Sequence, residues 1–387
     1  MDLSRRLLEC LEAPATGRGP SGDVWRARTG TDGGPLVLFG AGHLGRKVHA
    51  ALAGSRFQVL AFADNDPARH GTVLDGLPVL SPAEAAARHG REACFVVTIW
   101  RAEGPVQRFP DTEAQLLSLG VRRVAHFTHL AWAHPGGLTP HYALDLPERV
   151  LEAREQVRAA LELFRDAHSR DLFVRHALWR LTLDFSLLPA TDPDEIYFPE
   201  GLILPGQDEV LADAGAFDGD TCRRMLERWG TGARRIHAFE PDPASASKFR
   251  SWLDGAPERD RIRFHPIALG AEPGTLLFQG TGALNATASG QGGREVPCMT
   301  LDQVLGDDPP DFIKMDIEGA ELDALRGASG LLAGGPRLAI CLYHVQHHLW
   351  TIPNLVHAQL PDHSLHLRYH GTDAWELVLY AVPQGRP

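Results

Sequence analysis

At 387 residues the chain is too long for one ordinary core, so length alone favours two domains. Hydrophobic residues at 44% and charged residues at 22% match soluble globular proteins and exclude a disordered, collagenous or coiled-coil chain. A net charge of −11 repels phosphate backbones and anionic bilayers, which argues against nucleic acid and a membrane surface as main partners.

Residues 1–33 open with a short amphipathic stretch, Leu3 to Leu11, and continue through a Gly/Pro-rich segment that reads as a lead-in. Charges interrupt its apolar residues, and nowhere does the chain approach the roughly 20 apolar residues that span a bilayer. At Pro35 the pattern changes. PLVLFG is a compact apolar strand, GAGHLG a glycine turn, RKVHAALAG a helix, and FQVLAFADND a second strand ending in acids. Ser81 and Pro82 open a further helix, and ACFVVTIW supplies another buried strand. Strands alternating with helices predict a mainly parallel sheet in a domain over 34–138.

The turn in that domain is a full G-x-G-x-x-G built on Gly40, Gly42 and Gly45, with His43 and Leu44 before the last glycine. Between a strand and a helix, this pattern supplies a tight turn at Gly40, close backbone approach to a pyrophosphate at Gly42, and helix–strand packing at Gly45. Asp64 follows Gly45 by 19 residues at the end of the next strand, where a carboxylate holds ribose hydroxyls. Such corners also serve as purely structural turns, and the domain lacks a second mononucleotide-binding half. GAGHLGRKV, FADND and LDGLPVLSP resemble the small Rossmann-like N-terminal domains of sugar O-acyltransferases and sugar-modifying enzymes. That resemblance implies a nucleotide or nucleotide-sugar reader. No Tyr-x-x-x-Lys spacing offers a hydride-transfer partner, so a bifunctional enzyme using NAD here stands only as an alternative.

From 139 to 194 the pattern is helical, with Val150, Leu151, Val157, Leu161 and Phe164 at helical spacing, and predicts a connector. Over 195–387 strand–helix alternation resumes. It runs through EVLADAG, a helix from Asp220, RIHAFEPD, a helix through Phe249 and Leu253, IRFHPIALG, DFIKMDIEG, a helix through Leu325, RLAICLYHV and two late strands, SLHLRYHG and WELVLYAVP. The five cysteines, Cys10, Cys94, Cys222, Cys298 and Cys341, are scattered and never in C-x-x-C spacing. They point away from disulfides and zinc and toward a reducing, cytoplasmic compartment.

Asp213, Gly215, Ala216, Phe217 and Gly219 form a second glycine turn, with Thr221 in the helix it opens. Here the acid precedes the glycines, and the backbone can approach an amino-acid moiety instead of cradling a phosphate. Glu240 lies 25 residues after Gly215, at the tip of the next strand and just before Pro241, where it can accept both ribose hydroxyls. The plainer alternative is a cap on the following helix. In IKMDIEG, period-two geometry predicts Lys314, Asp316 and Glu318 on one side of a strand. Such a charged triplet is costly unless it lies at the strand's carboxyl end, where open α/β sheets bind ligands.

DAGAFDGDT, AFEPDP, IALG, TLDQVL and IKMDIEGAELDALRGA, in this order, resemble the FkbM family of S-adenosylmethionine-dependent O-methyltransferases. The resemblance covers about residues 195–383 and implies a class I seven-stranded methyltransferase sheet, with a hydroxyl of a small molecule or sugar as acceptor. It places S-adenosylmethionine against the second turn, Thr221, Glu240, Pro241, Ala268 and Asp316. Phe217 stands where a third glycine is common in methyltransferase turns. Methyl transfer from a sulfonium needs in-line alignment first and removal of a hydroxyl proton second. Asp316 beside the donor, with Asp316, Glu318 or His344 taking the proton and Lys314 next to them, is the expected machinery. Asp316, Glu318 and His344 could instead hold magnesium or manganese, since hard oxygens with one imidazole suit those ions. His344, His347, His348, His357, His363, His366 and His370 include no HExxH and no cysteine partner, and most read as helix-surface or loop residues.

The expectation is a two-domain α/β enzyme, two Rossmann-like domains in series joined by a helical connector, which O-methylates a hydroxyl of a sugar or glycoside. A homo-oligomer is compatible with it. The alternative from another class is a non-catalytic protein that binds nucleotide and S-adenosylmethionine, against which the joint presence of Asp213, Glu240, Asp316 and Glu318 argues.

Overall fold

The computed structural model describes residues 2–12, 19–100, 108–192, 195–279, 283–284 and 294–384. Short apolar runs such as LVLF and CFVV are buried along their whole length, as strands covered on both faces must be. Strands β1 (Gly34–Phe39), β2 (Phe57–Ala63), β3 (Val73–Leu74), β4 (Leu77–Leu80), β5 (Cys94–Val97) and β6 (Val124–His126) form one sheet in the order β3-β4-β2-β1-β5-β6. All its pairings are parallel except the β3–β4 hairpin. Local chemistry starts the helices between them: Ser81 and Glu84 complete a capping box on Pro82–His89, with Pro82 in its first turn.

The C-terminal half contains β7 (Glu209–Ala214), β8 (Ala233–Phe239), β9 (Ile262–His265), β10 (Ala268–Leu269), β11 (Gly274–Gln279), β12 (Ala283–Leu284), β13 (Arg294–Met299), β14 (Phe312–Met315), β15 (Arg337–Cys341), β16 (His363–Tyr369) and β17 (Leu377–Pro383). Seven of these build the expected sheet in the order β16-β17-β15-β14-β7-β8-β9, with β17 antiparallel to both neighbours. The chain works outward from β7 through β8 to β9, then returns to β14 on the other side of β7. That reversal opens a crevice at the carboxyl ends of β7 and β14. IRFHPIALG is two strands in different sheets, because Pro266 between them has no N–H to give a ladder; β10 pairs with β13 in a small four-stranded sheet. DFIKMDIEG also ends early. Strand β14 stops at Met315, and Glu318 (φ 56°) and Gly319 (φ 104°) turn the chain, so Lys314, Asp316 and Glu318 share no strand face.

Period-two alternation divides the core. Ala212, Ile313, Met315, Leu338 and Ile340 face the helices Arg154–Leu163, Ala167–Thr182 and His348–Gln359. Leu211, Phe312, Ala339 and Cys341 belong instead to a cluster continuous with Leu36, Phe39, Phe95 and Trp100 of the first sheet. The two halves therefore share one core. The segment expected as a lead-in joins both: Leu7 and Leu11 of helix Leu3–Glu12 pack with Leu172 and Phe173, while Trp25 of helix Gly19–Thr29 meets Phe57 edge-on at 5.3 Å.

Hydrogen bonds stitch the halves at the 370–376 turn. The Trp100 indole N–H donates to the Asp373 carbonyl at 2.7 Å, and the Phe109 N–H donates to the Asp373 carboxylate at 2.7 Å. Gln346 accepts from the Asp145 N–H and donates to the Leu146 carbonyl. Asp373→Ala would leave the buried Phe109 N–H without a partner and should lower stability by about 1–3 kcal/mol, read as a fall in the urea midpoint.

Candidate active site

The crevice is built where β7 and β14 end. In the parallel register Lys314 lies opposite Asp213, and the pair closes to 3.0 Å with both side chains almost fully buried. Lys314 also donates to the Gly215 carbonyl at 2.6 Å, and the Cys222 thiol donates to the other Asp213 oxygen at 3.2 Å. Burial pulls the Lys314 pKa down, but Asp213 and then Asp316 overcome it and hold the ammonium charged. Lys314, expected among the catalytic groups, thus acts on the glycine turn. Gly215 has φ 84°, and a Cβ there would stand 1.8 Å from the Asp316 carbonyl oxygen. A Cβ at Gly219 (φ 92°) would meet the Trp252 ring at 2.4 Å. Only glycine fits either position.

Glu240 follows β8 directly. It accepts the Phe217 N–H at 3.0 Å and the Asp242 N–H at 2.7 Å, one on each oxygen, which leaves a lone pair on each for a vicinal diol. Burial pushes its carboxyl up to about 7 against those two N–H groups. The helix cap here is Asp242, which accepts the Ser245 N–H. Phe217 adopts φ 44° and projects its ring outward, 43% exposed, beneath the Lys248 ammonium. Thr221 is buried in the first turn of Asp220–Trp229, Pro241 is half-buried beside Glu240, and the Ala268 side chain is taken up by packing with Val296 and Cys298.

Asp316 sits one residue past β14. Its carboxylate accepts the Tyr197 hydroxyl at 2.6 Å and the Tyr343 hydroxyl at 3.3 Å, and lies 3.1 Å from His344 Nε2. His344 Nδ1 is 2.7 Å from Glu321, whose other oxygen lies 3.3 Å from His348. Burial would strip the His344 proton, but Glu321 and Asp316 outweigh it and keep the imidazole charged well above the ordinary histidine range. His344 therefore carries a proton and cannot receive one. Asp316 is held well below the usual carboxylate range: burial opposes this, and His344, Lys314 and Tyr197 prevail. Glu318 differs. The residue reaches solvent at the rim, yet crowding of its carboxyl pushes it up to about 7, with Asp316 and Glu321 adding to the rise and His344 and Tyr142 opposing it. Among the described residues the group whose ligand atoms all lie within 4.8 Å of one another is Asp316, Glu321 and His344, in place of the expected trio with Glu318. Within this group the carboxylates face both imidazole nitrogens, Asp316 at Nε2 and Glu321 at Nδ1, so the three side chains pair with one another.

Sequence reasoning missed Tyr142, Tyr197, Glu321, Tyr343, Trp375 and Glu376. Tyr142 approaches from the connector and packs tilted at 4.6 Å against Trp375, which meets Tyr343 edge-on at 5.6 Å. Burial, then Asp316, pushes Glu376 up to about 7. Glu321 stands within the quoted string and could have been found by its spacing. The aromatic residues arrive from distant segments and carry no local signal. Of the seven histidines from His344 to His370, most of them read as surface or loop residues, His344, His348 and His363 are buried.

At the other glycine turn, the Asp64 carboxylate faces the turn itself and accepts the Ala41 N–H at 2.8 Å and the Asp66 N–H at 2.9 Å. Gly40 (φ 121°) and Gly45 are required by Ile99 and by the Gly40 carbonyl, whereas a Cβ on Gly42 would meet nothing within 4 Å. His43 is exposed and Leu44 half-buried on helix His43–Ala51.

A seven-stranded sheet with a reversed last strand, a glycine turn at its switch point and an acid on the neighbouring strand define a class I S-adenosylmethionine-dependent methyltransferase domain. More particularly, residues 213–364 match the family model described as the methyltransferase FkbM domain, and the chain carries that domain. The structure of methyltransferase FkbM from Methylobacillus flagellatus KT is 22% identical, covers 98% of this chain and 99% of its own, and superposes with a TM-score of 0.78, so the whole fold is shared. A putative rRNA-methylase from Clostridium thermocellum (12% identity, 47% of this chain, 91% of that one, TM-score 0.32) overlaps only partly. So does UDP-D-quinovosamine 4-dehydrogenase from Vibrio fischeri (21% identity, 23% of this chain, 74% of that one, TM-score 0.19). No curated protein matches. No helix among the described residues is long and apolar enough to cross a membrane.

Gly215→Ala should abolish S-adenosylmethionine binding measured by calorimetry, because the turn must move off the Asp316 carbonyl. Gly42→Ala, with open space around its added carbon, should leave that binding and the Tm unchanged.

Proposed function

We propose that the protein transfers the methyl group of S-adenosylmethionine to a hydroxyl of a sugar or glycoside, with Glu318 as the general base. S-adenosylmethionine, when bound, supplies an electrophilic methyl on a sulfonium. Glu240 would hold its ribose hydroxyls and the backbone of Gly215 to Gly219 its amino-acid end, which is consistent with the lone pairs and close approach those residues offer. Asp316, kept ionised by His344 and Tyr197, is a poor proton acceptor and suits orienting the acceptor hydroxyl through its remaining lone pairs.

The observation that carries the proposal is the contrast between adjacent carboxylates. Asp316 is held low while Glu318, two residues on, is raised to about 7, where a base both accepts a proton and is regenerated near neutral pH. The partly exposed Tyr142 ring, backed by the buried Trp375, offers aromatic surface to the apolar face of a sugar ring. The extension to a nucleotide-activated sugar rests on the Gly40–Gly45 turn alone, and calorimetric titration with UDP-sugars tests it: no heat of binding would remove it.

Glu318→Gln should lower turnover by about 10²–10⁴-fold while S-adenosylmethionine binding is kept. In the wild type only the ionised Glu318 accepts a proton, so kcat should rise with pH through about 7 and level off above it. The variant should lose that limb. Turnover by Glu318→Gln equal to the wild type would overturn the assignment.

A further inference from the structure

Helix Ala167–Thr182 runs between the two halves and carries His176, Trp179 and Arg180 on one side, since residues three and four apart on a helix are neighbours. Trp179 lies 6.2 Å from Trp100 of the N-terminal half, and His176 meets Tyr369 at the end of β16 edge-on at 4.8 Å. His176 and Trp179 are 0% exposed and Arg180 1%.

Arg180 has five N–H donors and keeps its charge at neutral pH even though burial pulls its pKa down to about 9. Among the described residues it forms no ion pair: one Nη1 bond reaches the His176 carbonyl at 3.1 Å, and the guanidinium lies 5.8 Å from its own neighbour's Trp179 ring. Its Nε and Nη2 have no partner, nor do the Trp179 indole nitrogen and either ring nitrogen of His176. Burial and Arg180 hold His176 neutral, so it offers one N–H. The Tyr369 hydroxyl accepts the Ala374 N–H and keeps its own proton to donate. The cluster is thus rich in donors, poor in acceptors and positively charged, and an unpaired buried cation costs several kcal/mol. Water can satisfy donors but cannot neutralise the charge.

We propose that Arg180, His176 and Trp179 form a buried site between the two halves for a small inorganic monoanion of the halide class. The anion would complete the guanidinium's coordination, neutralise its charge and stabilise the docking of the two halves, independently of methyl transfer.

The test uses the full chain with chloride and bromide as probes. At constant ionic strength maintained with sodium gluconate, whose anion is too large for a site of this burial, the wild-type Tm should rise by a few degrees and saturate as chloride replaces gluconate. Arg180→Met should show no chloride dependence, and Arg180→Lys, which keeps the charge but not the planar donors, a weaker one. Crystals soaked in bromide should give an anomalous peak within hydrogen-bonding distance of the Arg180 side chain. Identical chloride dependence in wild type and variant, or water alone beside Arg180 in bromide-soaked crystals, overturns the proposal. If Arg180→Met does not fold, Arg180→Lys and the bromide soak decide it.

Discussion

The approach of two strand tips, β7 and β14, is the constraint on which the rest of the site depends. The Asp316 carbonyl occupies the space a side chain at Gly215 would need, so the glycine turn and the loop after β14 can only be placed together. The Lys314–Asp213 pair secures this from below. Buried ion pairs add little net stability because desolvation offsets their attraction, yet breaking one strands a charge in the core. Its contribution here is positional: the same ammonium that faces Asp213 also holds the Gly215 carbonyl.

Above that foundation the charges are sorted around a histidine whose proton two carboxylates hold. His344 lies between Asp316 and Glu321 and keeps both ionised, and Glu321 is itself anchored by the Ile317 N–H. With those two carboxylates committed, the groups left to titrate near neutral pH at the crevice are Glu240, Glu318 and Glu376, of which Glu318 stands at the rim and Glu376 next to the Asp316 charge. The imidazolium supplies the positive charge that a divalent ion would bring elsewhere, at a place where three ligating side chains converge.

The order of strands and helices was legible in the sequence because apolar runs alternate with capped amphipathic segments, and the seven-stranded sheet was what the FkbM resemblance implied. Asp213, Glu240 and Asp316 were legible too, since each closes a recognisable strand. Two kinds of information were not. The charged string after Ile313 looks like continued period-two strand, and only the positive φ of Glu318 and Gly319 shows where it turns. The proton inventory depends on Tyr142, Tyr197 and Glu376, which reach the site from three segments well separated in the chain. His344 looked like a base because an imidazole at a strand end usually titrates near 7; its two carboxylate neighbours, both supplied by the connection from β14 to helix Glu321–Arg326, disfavour that role.

One side of the methyltransferase sheet is covered by Met225, Trp229 and Phe249 of its own helices, and that layer runs on without a break into Phe39, Phe95 and Trp100 of the first sheet. A domain normally becomes dispensable when its ligand no longer matters, because the remainder can stand without it. Here the first sheet serves as a wall of the shared core. Its glycine corner at Gly40 and Gly45 would be maintained by packing even in a lineage where nothing binds there, so persistence of that motif among descendants says more about architecture than about ligand.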